Sequence, residues 1–147
     1  MPEASRPQIV LAFDFGLRRI GVACGDTLSR SASAVEAVPA GANGPRWEAI
    51  ASLMRDWQPD MAVVGLPYNV DGSDSDMTHA ARGFAAELAR RYSLEVALVD
   101  ERYSSLEAEA RLKSARESGL RRRRVAKSDV DAAAASVILE RWFTEFN

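Results

Sequence analysis

The chain has one cysteine, one histidine, almost no net charge and no apolar run long enough to cross a bilayer. Each scarcity excludes something. Cys24 can close no internal disulfide and has no cysteine partner for a metal knuckle, so it is expected to be a small buried apolar residue. His79, near the start of a polar helix, has no partner for acid–base work and is expected to be exposed. Charged or polar residues interrupt every apolar stretch before it reaches spanning length. The opening MPEASRPQ is polar and mixed in charge, unlike a signal peptide or a targeting helix. A cytoplasmic protein with no membrane partner is therefore expected. With 19 basic against 21 acidic residues the net charge is −2, so no overall field draws the chain to a polyanion. No internal repeat, low-complexity tract or composition break marks a second domain. A length of 147 residues, 47% of them apolar, suits one domain over 1–147 with a sizeable core.

What is present alternates strands with helices. IVLAFDF, Ile9 to Phe15, reads as a strand buried on both faces, and RIGVACGD, Arg19 to Asp26, follows after a turn short enough to require an antiparallel hairpin. A third strand is expected around Ala34 to Val38. Trp47, Ile50, Met54 and Trp57 recur at helical spacing, with Pro59 closing that helix. Asp60 to Leu66 is a further buried strand running into the loop PYNVDGSDSD. Met77, Ala81, Phe84 and Leu88 define a second helix, and Leu94 to Asp100 the last strand. Ser104 with Glu107 fits a capping box, and Gly119 a helix stop. A final alanine-rich helix is expected from about Ser128 to Phe143. Strands joined through helices run parallel. The fold class is therefore α/β: a mixed sheet, with an antiparallel three-strand meander plus parallel strands, flanked by helices.

Acidic residues at buried strand ends are the first chemical signal. Asp14 lies in an apolar run, where an unpaired carboxylate costs several kcal/mol, on the order of the effective burial penalty for one ion. An ion pair with Arg18 or Arg19 would compensate it; so would a hard cation, which prefers carboxylate oxygens. Glu101 also follows directly on a buried strand and favours the cation. The last helix supplies a third acid. At roughly 100° per residue, Asp131 projects with Ile138 and Trp142 to the inward side, while Asp129 falls on nearly the opposite one. Ala134 and Ala135 are small enough to let that helix approach the sheet. Arg141 is the misfit on the apolar side.

Three inward carboxylates, with no cysteine among them and one isolated histidine, describe an all-oxygen site for Mg2+ or Mn2+ and argue against zinc. Two such ions can activate a water and stabilise the leaving oxygen of a phosphodiester. Arg121, Arg122, Arg123 and Arg124 are contiguous, with Lys127 close behind and Arg116 ahead. A bare charge run is usually solvated. Directly before the helix that carries Asp131, a basic loop makes sense as a grip on a nucleic-acid backbone.

The strings DFGLRRIGVA from Asp14, VVGLPYNVDGS from Val63, DERYSS from Asp100 and VDAAAASVIL from Val130 closely resemble the YqgF/RuvX family. All four occur in order and span nearly the whole chain. The resemblance implies a RuvC-like ribonuclease H fold, and an activity described either as resolution of four-way DNA junctions or as a nuclease maturing the ends of precursor small-subunit rRNA. It implies that the family's metal-binding acids match Asp14, Glu101 and Asp131, and its motif arginines Arg19 and Arg102. It matches the family's glycine-rich loop to Gly65 through Gly72, with Asn69, Asp71, Gly72 and Ser73 toward substrate. Tyr68 and Val70 replace larger aliphatics. Asp74, Ser75 and Asp76 replace a Glu-Gly-Pro type sequence, which adds negative charge to that loop.

Nuclease action on precursor rRNA is the expected function, with structured DNA as the other substrate class and either a monomer or a homodimer as the acting form. A non-catalytic RNA- or transcription-associated binding protein is the alternative, although three retained acids would then serve no chemistry. An actin-like ATPase needs two such domains, and the chain has room for one. Trp47, Trp57 and Trp142 sit at core spacings and are expected to pack. Tyr68 and Tyr103, in loops beside the acids, could equally stack on a base or pack locally.

Overall fold

The computed structural model describes residues 7–101 and 127–145. Six strands form one sheet in the order β4-β3-β2-β1-β5-β6: β1 is Ile9–Asp14, β2 Arg19–Asp26, β3 Ala32–Gly41, β4 Gly44–Pro45, β5 Met61–Leu66 and β6 Glu95–Asp100. The helices are α1, Trp47–Trp57, α2, Asp76–Tyr92, and α3, Lys127–Glu145. β1, β2 and β3 are antiparallel neighbours, and β1, β5 and β6 run parallel. The expected meander plus parallel strands is thus observed. One detail of the sheet differs from expectation. β3 is longer than Ala34 to Val38 because it continues into a tight hairpin with the two-residue β4. The expected Ser104 cap and Gly119 stop lie outside the described residues.

Period-two alternation sorts the sheet's side chains between its faces. Leu11, Phe13, Ile20, Val22 and Val64 pack against Ile50 and Leu53 of α1 and Phe84 and Leu88 of α2. Val10, Ala12, Ala23, Val63 and Val99 pack against Ala135, Ile138, Leu139 and Phe143 of α3. Continuing the alternation puts Asp14, Gly21, Gly65 and Glu101 on the α3 side. Because β1, β5 and β6 are parallel, their carboxyl ends share one edge, and Asp14 and Glu101 stand there on either side of β5.

Left-handed residues close the first two helices: Gln58, at φ 45°, returns its N–H to the Met54 carbonyl after α1, and Ser93, at φ 49°, does the same to Ala89 after α2. Trp57, the last residue of α1, is 36% exposed and lies outside the core that the helix's Ile50 and Leu53 join. Cys24 is half-buried rather than fully buried, lying near the outer end of β2.

Candidate functional site

Backbone hydrogen bonds set the site's frame. Asp14 is the last residue of β1 and pairs with Gly21 of β2. Glu101 lies one residue past β6, and its N–H still donates to the Leu66 carbonyl at 3.1 Å, which holds it beside the end of β5. Two glycines then let the acids meet. A Cβ on Gly65 would collide with Glu101 Oε2, so the bare strand position leaves room for that carboxylate over β5. A Cβ on Gly21 would strike the Asp131 carbonyl, so the bare position on β2 lets α3 touch the sheet at the turn carrying Asp131. Glycine inside an apolar strand signals such close approach, a signal that the sequence reading of Gly21 and Gly65 did not use. Gly65 accordingly belongs to β5, not to a loop reaching Gly72.

The acids do not form a loose trio. Glu101 hydrogen-bonds to Asp14, and Oε2 of Glu101 is buried without a partner. Burial pushes both carboxyls above the usual carboxylate range. For Asp14 the Glu101 hydrogen bond opposes that rise and the charge of Asp131 adds to it. For Glu101 the charge of Asp14 and the hydrogen bond between them push further upward, against Arg141. Two carboxylates in one low-dielectric site resist ionising together, so burial favours retention of a proton by the pair.

Asp131 faces inward as the helical phase requires, but its Oδ2 accepts from Arg19 Nε at 2.6 Å. The ion pair considered for Asp14 with Arg18 or Arg19 is thus formed by Asp131 instead, since Asp14 meets Glu101. Among the described residues no three acidic, histidine or cysteine side chains are gathered closely enough to hold a metal ion. Like charges without a counter-ion repel, and here a proton and an arginine separate them. Arg141, the apparent misfit of α3, donates from Nη1 to the Asp100 carbonyl at 2.8 Å, which ties α3 to the end of β6 next to Glu101.

At the rim, the loop after β5 folds on itself. Asn69 N–H donates to the Ser73 carbonyl at 2.9 Å, Gly72 N–H to the Asn69 carbonyl at 2.8 Å, and Ser73 N–H and Oγ both to Asp71 Oδ1. Gly72 takes φ +90°, a left-handed turn open to glycine. The charges added by Asp74 and Asp76 are already answered. Arg82 Nη1 donates to Asp74 Oδ2 at 2.9 Å, and Asp76 opens α2, where the helix dipole favours it. Ser75 caps that helix in a reciprocal box with Thr78, whose hydroxyl donates to the Pro67 carbonyl at 2.7 Å. Tyr68 packs locally, its hydroxyl accepting from Arg82 Nη2 at 3.0 Å. His79 is exposed, as expected.

Arg102, Tyr103, Arg116 and Arg121 to Arg124 lie outside the described residues, as do the side chains of Lys127 and Asp129. Among the described residues no helix is long and apolar enough to cross a membrane.

A sheet of this order, with two acids meeting over β5 and a helix bringing a third to the same face, defines a ribonuclease H-like domain. RuvC from Thermus thermophilus, solved with a Holliday junction substrate, superposes with a TM-score of 0.56 at 15% identity, over 93% of this chain and 94% of that one. A second structure of Thermus thermophilus RuvC gives 0.52 at 15% identity, over 92% and 93%. The chain belongs to the RuvX family, whose model, described as a Holliday junction resolvase, matches residues 8–145. A relative from Edwardsiella ictaluri is 46% identical over 93% of this chain and 95% of its own. One from Dechloromonas aromatica is 49% identical over 91% and 89%. Both are named as candidate pre-16S rRNA nucleases.

Proposed function

We propose that this protein is a divalent-metal-dependent nuclease that hydrolyses phosphodiester bonds in precursor 16S rRNA in the cytoplasm, working as one domain over 1–147. The observation that carries this reading is Glu101 Oε2, a buried carboxylate oxygen without a partner, held against a second acid at the sheet edge. Such an atom has the chemistry of a hard-cation ligand. The donors are all oxygen, which suits Mg2+ or Mn2+, and two ions are the expected complement of Asp14, Glu101 and Asp131. Bound there, such ions supply an activated water and stabilise the leaving oxygen of the phosphodiester.

The chain's own groups do the rest. Asp14, Glu101 and Asp131 would hold such a cation as carboxylates, and its binding would displace the proton that the buried pair keeps. Arg19, once released by Asp131, can turn its guanidinium to a phosphate. Arg102, Arg121, Arg122, Arg123, Arg124 and Lys127 are the cations for the strand's backbone, and Asn69, Asp71, Gly72 and Ser73 are the loop residues for contact with substrate. The names of the relatives support RNA as substrate. The family description supports junction DNA as a second reading, for which a twofold dimer would be the acting form, whereas a monomer suffices for trimming RNA.

The deciding experiment measures cleavage and affinity in parallel on precursor rRNA and on a four-way DNA junction, each with Mg2+, Mn2+ or EDTA. Wild type should cut the RNA with either metal and not in EDTA. Asp14→Asn should bind at least as well, since it removes a negative charge, and cut on the order of a thousandfold more slowly. Binding without cutting on every substrate would make the protein a non-catalytic partner. Undiminished cleavage by Asp14→Asn would sink the metal mechanism.

A further inference from the structure

The loop between β5 and α2, Pro67 to Ser75, starts where Glu101 is held. The Leu66 carbonyl accepts both the Glu101 N–H and the Tyr68 N–H, each at 3.1 Å. The turn from Asn69 to Ser73 follows, and Asn69 closes it by donating to Ser73 from its backbone N–H and its side-chain amide. Within the turn, Val70 is 74% exposed. At the base of the loop the Ser75 and Thr78 hydroxyls both donate to the Pro67 carbonyl, at 3.1 and 2.7 Å, where α2 starts. These bonds settle the shape of the turn and the start of the helix, but none of them ties the turn to the body of α2.

Arg82 supplies that tie. It stands about two turns into α2, and its side chain leans back toward the helix start, the direction helical side chains take. Its guanidinium joins the residues on either side of the turn. Nη1 donates to Asp74 Oδ2 at 2.9 Å, Nη2 donates to the Tyr68 hydroxyl at 3.0 Å, and the guanidinium carbon lies 5.7 Å from the centre of the Tyr68 ring. His79 Nε2 is 3.9 Å from the same Asp74 oxygen, beyond hydrogen-bonding distance. The side chains of Arg82 and Asp74 are 39% and 38% accessible, and an ion pair so exposed contributes little to global stability. What a pair of that strength can set is a local equilibrium, the place of one surface turn.

We propose that Arg82 is a positioning residue for substrate binding: through Tyr68 and Asp74 it holds the turn Asn69 to Ser73 in one place beside the end of β5, where the substrate meets it. The inference rests on the nuclease reading, which gives that turn its contact with substrate. With the clamp broken, the turn spends part of its time elsewhere, and affinity falls by the fraction of time it is out of place. Nη1 and Nη2 are both engaged within the protein, so Arg82 acts through its two partners and not on the substrate.

The test takes four variants of the full chain: Arg82→Ala, Asp74→Ala, the two combined, and Arg82→Lys. It measures affinity for precursor rRNA and for the four-way junction in EDTA by filter binding, then cleavage in Mg2+ and thermal melting. Arg82→Ala removes a positive charge and Asp74→Ala a negative one, so net charge alone would move their affinities in opposite directions. A clamp moves them the same way. Each single variant should weaken binding by up to about fivefold, the limit for an ion pair that water reaches, and the combined variant should be no weaker than the weaker single one. In cleavage KM should rise and kcat stay, because the three acids are untouched. Arg82→Lys keeps the charge but cannot hold two partners in a fork, so it should weaken binding as well. All four should melt close to wild type.

Asp74→Ala that binds more tightly than wild type, losses that add in the combined variant, or Arg82→Lys that binds like wild type would each overturn the proposal. So would a loss of kcat in place of affinity, or a large fall in melting temperature. The binding arm needs no cutting. A wild type whose variants follow the clamp pattern but which cuts nothing in Mg2+ refutes the nuclease reading alone. One that cuts while its variants bind like wild type refutes the clamp alone, and one that binds neither nucleic acid refutes both.

Discussion

Gly65 lies directly beneath the Glu101 carboxylate, and its lack of a side chain is what leaves Oε2 a place over β5. Asp14 and Glu101 flank that strand from β1 and β6, so their backbones stand about 10 Å apart, two strand spacings. Any side chain at 65 on that face would stand between them.

Alanine at 65 should therefore disturb both acids and core. Its Cβ would overlap Glu101 Oε2 and come within 2.5 Å of Ile138 Cδ1. The expected loss is about 1–3 kcal/mol of stability, the usual range for overpacking, together with weaker activation by Mg2+. Ile138→Val in the same chain should recover part of the stability and none of the metal response, because it relieves only the core contact. Urea unfolding and Mg2+ titrations of cleavage separate the two. Recovery of both together would mean that Gly65 acts on packing alone.

The shared proton predicts an unusual dependence of stability on pH. Both acids have folded-state values above their unfolded ones, so their contribution is complete below about pH 4, where both states are protonated. It is lost as pH rises, through about 6 for Asp14 and on toward about 10 for Glu101. In EDTA the melting temperature should fall between about pH 5 and pH 9, and Asp14→Asn should flatten that fall. Mg2+ should oppose it as well, since a cation that displaces protons binds more tightly at higher pH. A flat wild-type curve in EDTA would mean that both acids ionise freely.

Arg19 acts as the counter-charge of Asp131 across a partly exposed pair, with side chains 36% and 26% accessible. Arg19→Gln should lower stability in EDTA by about 0.5–1 kcal/mol, the range for ion pairs that water still reaches. Saturating Mg2+ should narrow the deficit, because the cation then supplies the charge that arginine supplied. A deficit equal in both buffers would detach Arg19 from the site.

Replacing Arg121 to Arg124 with alanine should weaken RNA binding and reduce the slope of log affinity against log salt by about 0.7 for each phosphate that the arginines had neutralised. Fluorescence anisotropy across a salt series reads this directly. An unchanged slope would return the four arginines to the solvent.

Much of this architecture was legible because burial imposes simple periods. The unbroken apolar run of Ile9 to Phe15 and the very short turn before Arg19 made the hairpin readable, and the helical phase of α3 selected Asp131 as the inward acid. What stayed hidden depends on which residue lies opposite. A helical wheel gives the side Asp131 faces but not that Arg19 waits there, and a buried charge at Asp14 calls for a partner without saying that the partner is another acid. Gly21 and Gly65 were harder still, since a glycine in a strand signals close approach without identifying what approaches.

The contact between Gly21 and the backbone at Asp131 also orders events during synthesis. α3 packs on β1, β2, β3 and β5, yet it follows all of them in chain order and so is made after them. Until it emerges, Val10, Ala12, Ala23 and Val63 present an apolar face with nothing from α3 to cover it. A nascent or truncated chain ending before residue 127 is therefore a sticky half-sandwich, a client for chaperones and a seed for aggregation. Emergence of α3 alone is what covers that face.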